Sequence, residues 1–438
     1  MQRLSYPSVD IIQKEKKTFL LHLISQFFNG IVAGIIVIQE IILKKSLSGT
    51  NFEVTILIYL TSISFLFSIY GTEIIDRSDN RAKTIFRIGA FGRGCLLLIP
   101  FFSNPWFYIA IITIMFITDA LLMPSWNYIF RHNYTLQNRS KYYSYASSLS
   151  TMVLLVTSTI AGFLLDANNE IYQLLFPVAG LFGILYYYEM SKIMKLADTA
   201  SNEPTIQKSN IRQKIKFNLI RDIAFLPVRN MVKICKENKK FFIFEINFFL
   251  YGMAFMVLSP AIPIFLVDYL NLAYTPISLA KGLIFHSALI IVTPLMGRFM
   301  GSGNPTKFCS VIFYILILIP GLLYLSNYLK GSDGFFDSTT VIYIVFFVFG
   351  IAMSGVTLAW NIGSIFYAPH SMVASYQAVH ITFTGIRGLF APLLGYLVIR
   401  FVSIEANFIL SGILFFFAGT GMLIDYKKSN SSKLLSRT

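Results

Sequence analysis

Long apolar runs, broken by short polar or basic segments, recur along nearly the whole chain. Twelve can be drawn, at roughly 18–43, 51–75, 84–103, 105–130, 142–166, 171–194, 241–269, 274–299, 308–328, 339–366, 373–399 and 404–425. A helix needs about 20 apolar residues to cross roughly 30 Å of hydrocarbon, where each backbone N–H and C=O must be paired internally. The pattern therefore predicts an all-α membrane protein with twelve transmembrane helices.

Composition agrees. Of 438 residues, 55% are hydrophobic and 13% charged, about half the charged share of an ordinary soluble domain. The first run follows Lys14, Lys16 and Lys17, as a signal peptide would. It is too long for one and has no small-residue cleavage site, so it is expected to stay as the first helix. Three cysteines, Cys95, Cys235 and Cys309, have no metal-site or disulfide spacing.

The net charge of +15 changes the picture only through its placement. With the N-terminus in the cytoplasm, 29 Lys and Arg fall in cytoplasmic segments. That number includes Arg87, Lys192 and Arg298 at the cytoplasmic ends of their runs; four (Lys44, Lys45, Lys330 and Arg400) fall on the opposite side, and three (Arg93, Lys281 and Arg387) lie deeper within helices. Such a split supports an even helix count with both termini cytoplasmic, in the inner membrane of the cell. It also explains the basicity without nucleic acid, for which no groove-reading motif is present.

Segment 195–240 separates two sets of six runs. Ile211, Ile215, Leu219, Ile223 and Leu226 recur there at helical spacing, with Lys214, Lys216, Arg221 and Arg229 between them. A helix lying on the inner leaflet would place those cations among anionic headgroups. The expected organisation is a six-helix bundle over 1–194, a basic linker over 195–240, a second bundle over 241–426 and a cytoplasmic tail over 427–438.

The two sets match internally. Phe27-Phe28-Asn29-Gly30 in the first run answers Phe248-Phe249-Leu250-Tyr251-Gly252 in the seventh. Trp126-Asn127 answers Trp360-Asn361, Ser144-Tyr145 answers Ser375-Tyr376, and Gly162 answers Gly395. The offsets are 221, 234, 231 and 233. Six helices lie between equivalent positions, so the repeats are parallel, the arrangement in which two bundles rock about a central site.

On helix count, central basic loop and repeat, the chain resembles the major facilitator superfamily over nearly its whole length. That family carries G-x-x-x-D-R-x-G-R-R after its second helix. Here the segment runs from Gly71 to Arg81; Asp76, Arg77 and Arg81 match in place, while the first glycine is displaced and Asn80 replaces the second. The helix-5 motif of drug–proton antiporters is absent apart from Ala161-Gly162. The resemblance implies that helices 1, 4, 7 and 10 line a cavity, that helices 2, 5, 8 and 11 flank it, and that Asp76, Arg77 and Arg81 form a gating loop.

Ionisable side chains at membrane depth cost about 2.5–3.5 kcal/mol on insertion scales, and so are the first candidates for function. Asp119 in the fourth helix reads as a proton carrier or a partner for a cationic group, or else as half of an ion pair with Arg93 or Arg387. Arg387, set in Gly385-Ile386-Arg387-Gly388, suits a substrate carboxylate or phosphate, or a salt bridge to Asp119 or Glu245. Glu245 reads as a gate or coupling acid, or as a residue facing water. Lys281 either binds substrate or snorkels outward. His286 and His380 are candidates beside a simple packing role. Trp126, Asn127, Trp360 and Asn361 suit one wall of an organic-substrate pocket, or an aromatic belt. Gln26 and Asn29 add polar contacts, and Glu40 is expected to be solvated.

No P-loop, zinc-type His/Glu spacing or nucleophile elbow is present, so no enzyme, cofactor or metal is expected. The sequence points to a monomeric secondary active transporter of a small organic solute working by alternating access. Mixed internal acids and bases suggest an anionic or zwitterionic substrate, with protons and membrane lipids as partners. Lipid, amphiphile or drug efflux stays open, as do a membrane-embedded sensor or scaffold and an integral-membrane enzyme.

Overall fold

The computed structural model describes residues 9–76, 78–198, 231–301, 304–330, 337–369 and 372–435. Among them every regular element is helical. Eleven helices are long and apolar enough to cross a membrane. In chain order they and one shorter helix are α1 (Gln13–Lys45), α2 (Asn51–Phe67, the shorter one), α3 (Arg81–Phe101), α4 (Pro105–Asn133), α5 (Leu136–Ala167) and α6 (Asn169–Asp198). There follow α7 (Lys239–Tyr269), α8 (Tyr274–Gly301), α9 (Pro305–Tyr328), α10 (Ser338–Ile362), α11 (Val373–Gly388, resumed as Ala391–Phe401) and α12 (Ile404–Ser429). The predicted amphipathic helix over 211–229 lies outside the described residues.

Polar punctuation sets the starts. The Thr50 hydroxyl accepts from Glu53 N–H while the Glu53 carboxylate accepts from Thr50 N–H, a full capping box on α2. Asn80, Asn104, Asn238, Asn304 and Asp337 each accept from backbone N–H groups at the heads of α3, α4, α7, α9 and α10. Each satisfies donors that a helix start leaves orphaned in an apolar medium. Pro105 and Pro305 follow two of these caps, where a missing N–H costs nothing.

The chain divides into two compact units. One holds α1–α6 together with Ala273–Leu283; the other holds α7, α9–α12 and α8 from Ile284 onward. The sequence places all of α8 with the second set, so its first residues sit with a different unit from the one their position suggests.

Each unit contains a pair of helices packed side by side in the same direction. In the first, Glu15 of α1 meets Thr135 and Asn138 at the head of α5, and Gly34 meets Leu154 and Thr157 further along. In the second, Asn238 before α7 meets Tyr376 of α11, Glu245 meets His380, and Val257 meets Gly395. Partners advance together along both pairs, which fixes them as parallel. Gly30 and Gly252, matched in the sequence repeat, do the same work: a Cβ on Gly30 would reach Val153 of α5 at 2.6 Å, and one on Gly252 would land on Arg387 of α11. Small residues at these positions let the backbones close, which is how helices associate where no hydrophobic effect drives them together.

Candidate functional site

Two buried charge clusters form, one within each unit. In the first, Arg93 of α3 faces Asp119 of α4. Its Nε donates to Asp119 Oδ1 and Oδ2 at 3.0 and 3.1 Å, and its Nη2 to Oδ2 at 2.6 Å. Nη2 also reaches Asn29 Oδ1 on α1 at 3.3 Å. Tyr187 of α6 donates to Asp119 Oδ1 at 2.6 Å. Gly183 makes room for this: a Cβ there would sit 2.7 Å from that of Arg93. The Arg93 side chain is 8% exposed and that of Asp119 25%. A planar fork on a carboxylate, with a phenol on the same oxygen, offsets much of the desolvation of both charges. Of the two partners the sequence offers Asp119, Arg93 is the one that meets it. Arg93 Nη1 remains buried without a partner among the described residues.

Beside this cluster stands a column that the sequence reading passes over. His22 of α1 is buried, its Nδ1 3.1 Å from the Tyr134 hydroxyl, with its ring 5.1 Å from Trp126 and 5.3 Å from Phe130. The Trp126 indole donates to the Tyr186 hydroxyl at 3.0 Å. A histidine inside the first apolar run was the available signal. Arg81, from the expected gating loop, donates to the Tyr128 hydroxyl at 2.8 Å and pairs with Asp198 at 3.5 Å, joining α3, α4 and α6. Arg77 lies outside the described residues, as do the side chains of Asp76 and Asn127.

In the second unit, three residues of α7 (Glu245, Phe248 and Gly252) lie at i, i+3 and i+7 and so share a face. Three residues of α11 (His380, Thr384 and Arg387) share another. His380 Nδ1 donates to both oxygens of Glu245, at 2.9 and 3.0 Å, and His380 Nε2 is buried with no partner among the described residues. The Phe248 ring lies edge-on to the imidazole, with centroids 4.7 Å apart.

One turn further along the pair, Arg387 Nη1 donates to the Phe248 carbonyl at 2.9 Å and Nη2 to Thr384 Oγ1 at 3.2 Å. Its guanidinium lies against the bare Cα of Gly252 and within 6 Å of the Phe248 and Tyr251 rings. Arg387 is 5% exposed, and its Nε has no partner among the described residues. The alternative of a salt bridge from Arg387 to Glu245 is not formed: Glu245 is taken by His380, and Arg387 is held by neutral acceptors.

The remaining candidates are dispersed. Trp360 Nε1 reaches Thr384 Oγ1 at 3.4 Å and its ring lies 6.0 Å from His380, which places it beside the second cluster. Asn361 is exposed and donates to the Thr357 carbonyl of its own helix at 2.7 Å. His286 packs edge-on against Phe285. Gln26 is half-buried on α1. Lys281 and Glu40 differ from expectation: they form an ion pair, with side chains 12% and 18% exposed, instead of reaching outward and into water. Among the described residues no group of His, Cys, Asp and Glu could hold a metal ion.

Among the described residues, eleven membrane-length apolar helices and one shorter one, with charge buried in each unit, agree with the comparison to known proteins. The sequence profile of the Major Facilitator Superfamily matches residues 18–386. The chain belongs to that superfamily. It is an integral, multi-pass membrane protein and a transporter rather than an enzyme. A search of curated protein sequences found no match. Among solved structures it is similar to a POT family transporter in complex with a thioalcohol-conjugated peptide, at 15% identity and a TM-score of 0.71, covering 94% of this chain and 96% of that one. A POT family transporter in complex with 5-aminolevulinic acid gives 14% identity and 0.70, with 94% and 96% covered. The nucleoside transporter NupG gives 13% and 0.61, with 94% and 99% covered. At these identities the likeness speaks for the superfamily fold.

Proposed function

We propose that this superfamily member is a proton-coupled secondary transporter of a small organic anion or zwitterion. It works by alternating access between its two six-helix halves, as a monomer in the cytoplasmic membrane with both termini inside. The observation that carries this reading is the state of Arg387. A guanidinium is always charged, and burying it inside a membrane protein is costly unless an anion answers it. Here it has a carbonyl, a hydroxyl and two aromatic faces, but no bonded carboxylate among the described residues. A substrate carboxylate or phosphate would supply the missing charge.

The neighbouring pair supplies the proton. Glu245 and His380 share one hydrogen between a carboxylate and an imidazole, and the opposite ring nitrogen is unused. Such a pair takes up or gives away a proton with little change in geometry. Arg93 and Asp119, by contrast, neutralise each other's charge and act as a fixed post that orients Asn29 and Tyr187. The bound ligands of the similar POT family structures, a peptide conjugate and 5-aminolevulinic acid, are of the expected class.

The test is thermal stabilisation of the purified protein by a panel of amino acids, short peptides, dicarboxylates, nucleosides and organic cations. Acidic or zwitterionic compounds should raise the unfolding temperature of the wild type and of Asn361→Ala, and fail to raise that of Arg387→Gln. Stabilisation by cations alone, or stabilisation unchanged in Arg387→Gln, would contradict the substrate class.

A further inference from the structure

A cavity of about 250 Å³ lies at the head of α7 and shares no residue with either charge cluster. It is lined by Met231, Val232, Cys235, Lys236, Phe242 and Phe383. Residues 231–237 form a short helical stretch before α7. In it, Met231 and Cys235 lie one turn apart, as do Val232 and Lys236, so one face of the stretch turns to the cavity. Phe242 joins from α7 and Phe383 from α11.

The floor of this groove is firmly built. Ile234, Phe241, Tyr376 and Val379 are buried, with Met231, Cys235 and Phe383 packed against them. Asn238 fixes the corner between the short helix and α7. Its Oδ1 accepts from the Phe241 N–H at 3.0 Å, while its Nδ2 donates to the Tyr367 carbonyl at 3.1 Å and to the Tyr376 hydroxyl at 3.2 Å. The outer wall is open: Val232 is 43% exposed and Phe242 39%. Ile246 and Phe249 follow Phe242 at one-turn steps, so apolar surface continues from the groove along α7.

The lining carries almost no polar surface that could orient a solute, and the cavity is smaller than the roughly 300–1,000 Å³ of small-molecule pockets. A single hydrocarbon chain needs neither polar anchors nor a larger space. Lys236 lines the groove with its methylene stem, which leaves the ammonium at the rim. That rim is cationic. Lys233, Lys236, Lys239 and Lys240 are all exposed, against one acid, Glu237, in the same stretch. Glu237 pairs with Lys233 at 3.9 Å. Lys236 and Lys239 have no acidic partner among the described residues. α7 begins at Lys239, the level at which a spanning helix passes from headgroups to hydrocarbon. An apolar slot that opens beside two cations at that level is complementary to a lipid with a negative headgroup.

We infer that this groove is a binding site for an anionic phospholipid, with the headgroup phosphate held by Lys236 and Lys239 and one acyl chain lying along Val232, Cys235, Phe242 and Phe383. It uses none of the residues assigned to substrate or proton. Phe242 and Phe383 each stand three residues from a member of the Glu245–His380 pair, so the lipid seats on the two helices whose register joins that pair.

Cys235 is a native reporter, because it lines the groove while Cys95 and Cys309 are buried. With those two replaced by alanine, Cys235 should react readily with N-ethylmaleimide in nanodiscs of neutral phosphatidylcholine. Adding phosphatidylglycerol should slow it by about fivefold, the worth of one lysine near an anionic surface, and inorganic phosphate in neutral nanodiscs should not. Lys236→Gln with Lys239→Gln should abolish the slowing. A control reports the effect of surface charge alone: Tyr188→Cys, with all three native cysteines replaced, stands exposed near Lys192 and should slow much less. Slowing equal to that of the control, slowing by inorganic phosphate, or slowing that survives loss of both lysines would each overturn the site. Slow labelling of Cys235 in both bilayers would also overturn it, since the groove would then be filled by residues 199–230 or by a second copy of the chain.

Discussion

His380 lies across both carboxylate oxygens of Glu245, with Nδ1 at 2.9 and 3.0 Å and each side chain 1% exposed. The two residues are 135 positions apart. They meet because α7 and α11 run parallel and in register, and the same register brings Arg387 onto Gly252.

Removing one member of such a pair strands the other. Glu245→Leu should lower stability by about 3 kcal/mol, the usual cost of a broken buried pair, and adding His380→Phe should recover most of it. Thermal unfolding of the purified variants in detergent checks this. An additive loss in the double variant would show that the two side chains do not act together.

The Arg93–Asp119 fork depends on geometry as well as charge. Arg93→Lys keeps the charge and loses the bidentate contact along with the reach to Asn29, so it should cost about 2 kcal/mol. The same unfolding measurement decides, and a change within 0.5 kcal/mol, roughly the scatter of neutral surface substitutions, would speak against the fork.

Gly252→Ala places a methyl on the Arg387 guanidinium and should abolish ligand stabilisation. Gly321→Ala, in an equally apolar helix with nothing within 4 Å of the added carbon, should leave ligand stabilisation intact and raise stability by up to about 1 kcal/mol through helix propensity. Equal behaviour of the two variants would remove Gly252 from the site.

Asp337 caps α10, and the N–H of Thr340 bonding to its carboxylate holds its pKa below the ordinary value. A depressed folded-state pKa means that the cap contributes fully above the unfolded value of about 4 and is lost as pH falls through the folded value. Asp337→Ala should therefore be less stable than the wild type by about 1 kcal/mol at neutral pH. The difference should shrink as pH drops below 4. A gap independent of pH would show that the carboxylate charge is not what caps the helix.

Much of the architecture is legible in the sequence because membrane burial writes it there. Runs of twenty apolar residues mark the helices, and Trp126 with Trp360 or Gly30 with Gly252 mark the repeat. Charges at depth, such as Asp119, Glu245 and Arg387, announce themselves by cost alone. Their partners do not. That Glu245 meets His380, and that Arg387 meets only neutral acceptors among the described residues, depends on helix register across more than a hundred residues. Glu40 reads as a solvated residue because it lies near the end of its run, while its side chain is turned onto Lys281. Asp166 carries no signal in the sequence, because its carboxylate accepts the backbone N–H groups of Tyr274 and Thr275 on a distant helix, which no side-chain pattern records. His22 was visible as a histidine in an apolar run, but its role as the centre of an aromatic column required the fold.

The proposed coupling is tested most directly in proteoliposomes, using an acidic or zwitterionic compound that stabilises the wild type. An imposed pH gradient should drive its accumulation by the wild type. Glu245→Gln should lose that accumulation and keep exchange of labelled for unlabelled compound at equal concentration on both sides, because exchange needs the Arg387 site and no net proton movement. Gradient-driven accumulation by Glu245→Gln equal to that of the wild type would contradict the assignment of Glu245 and His380 as the proton-carrying pair.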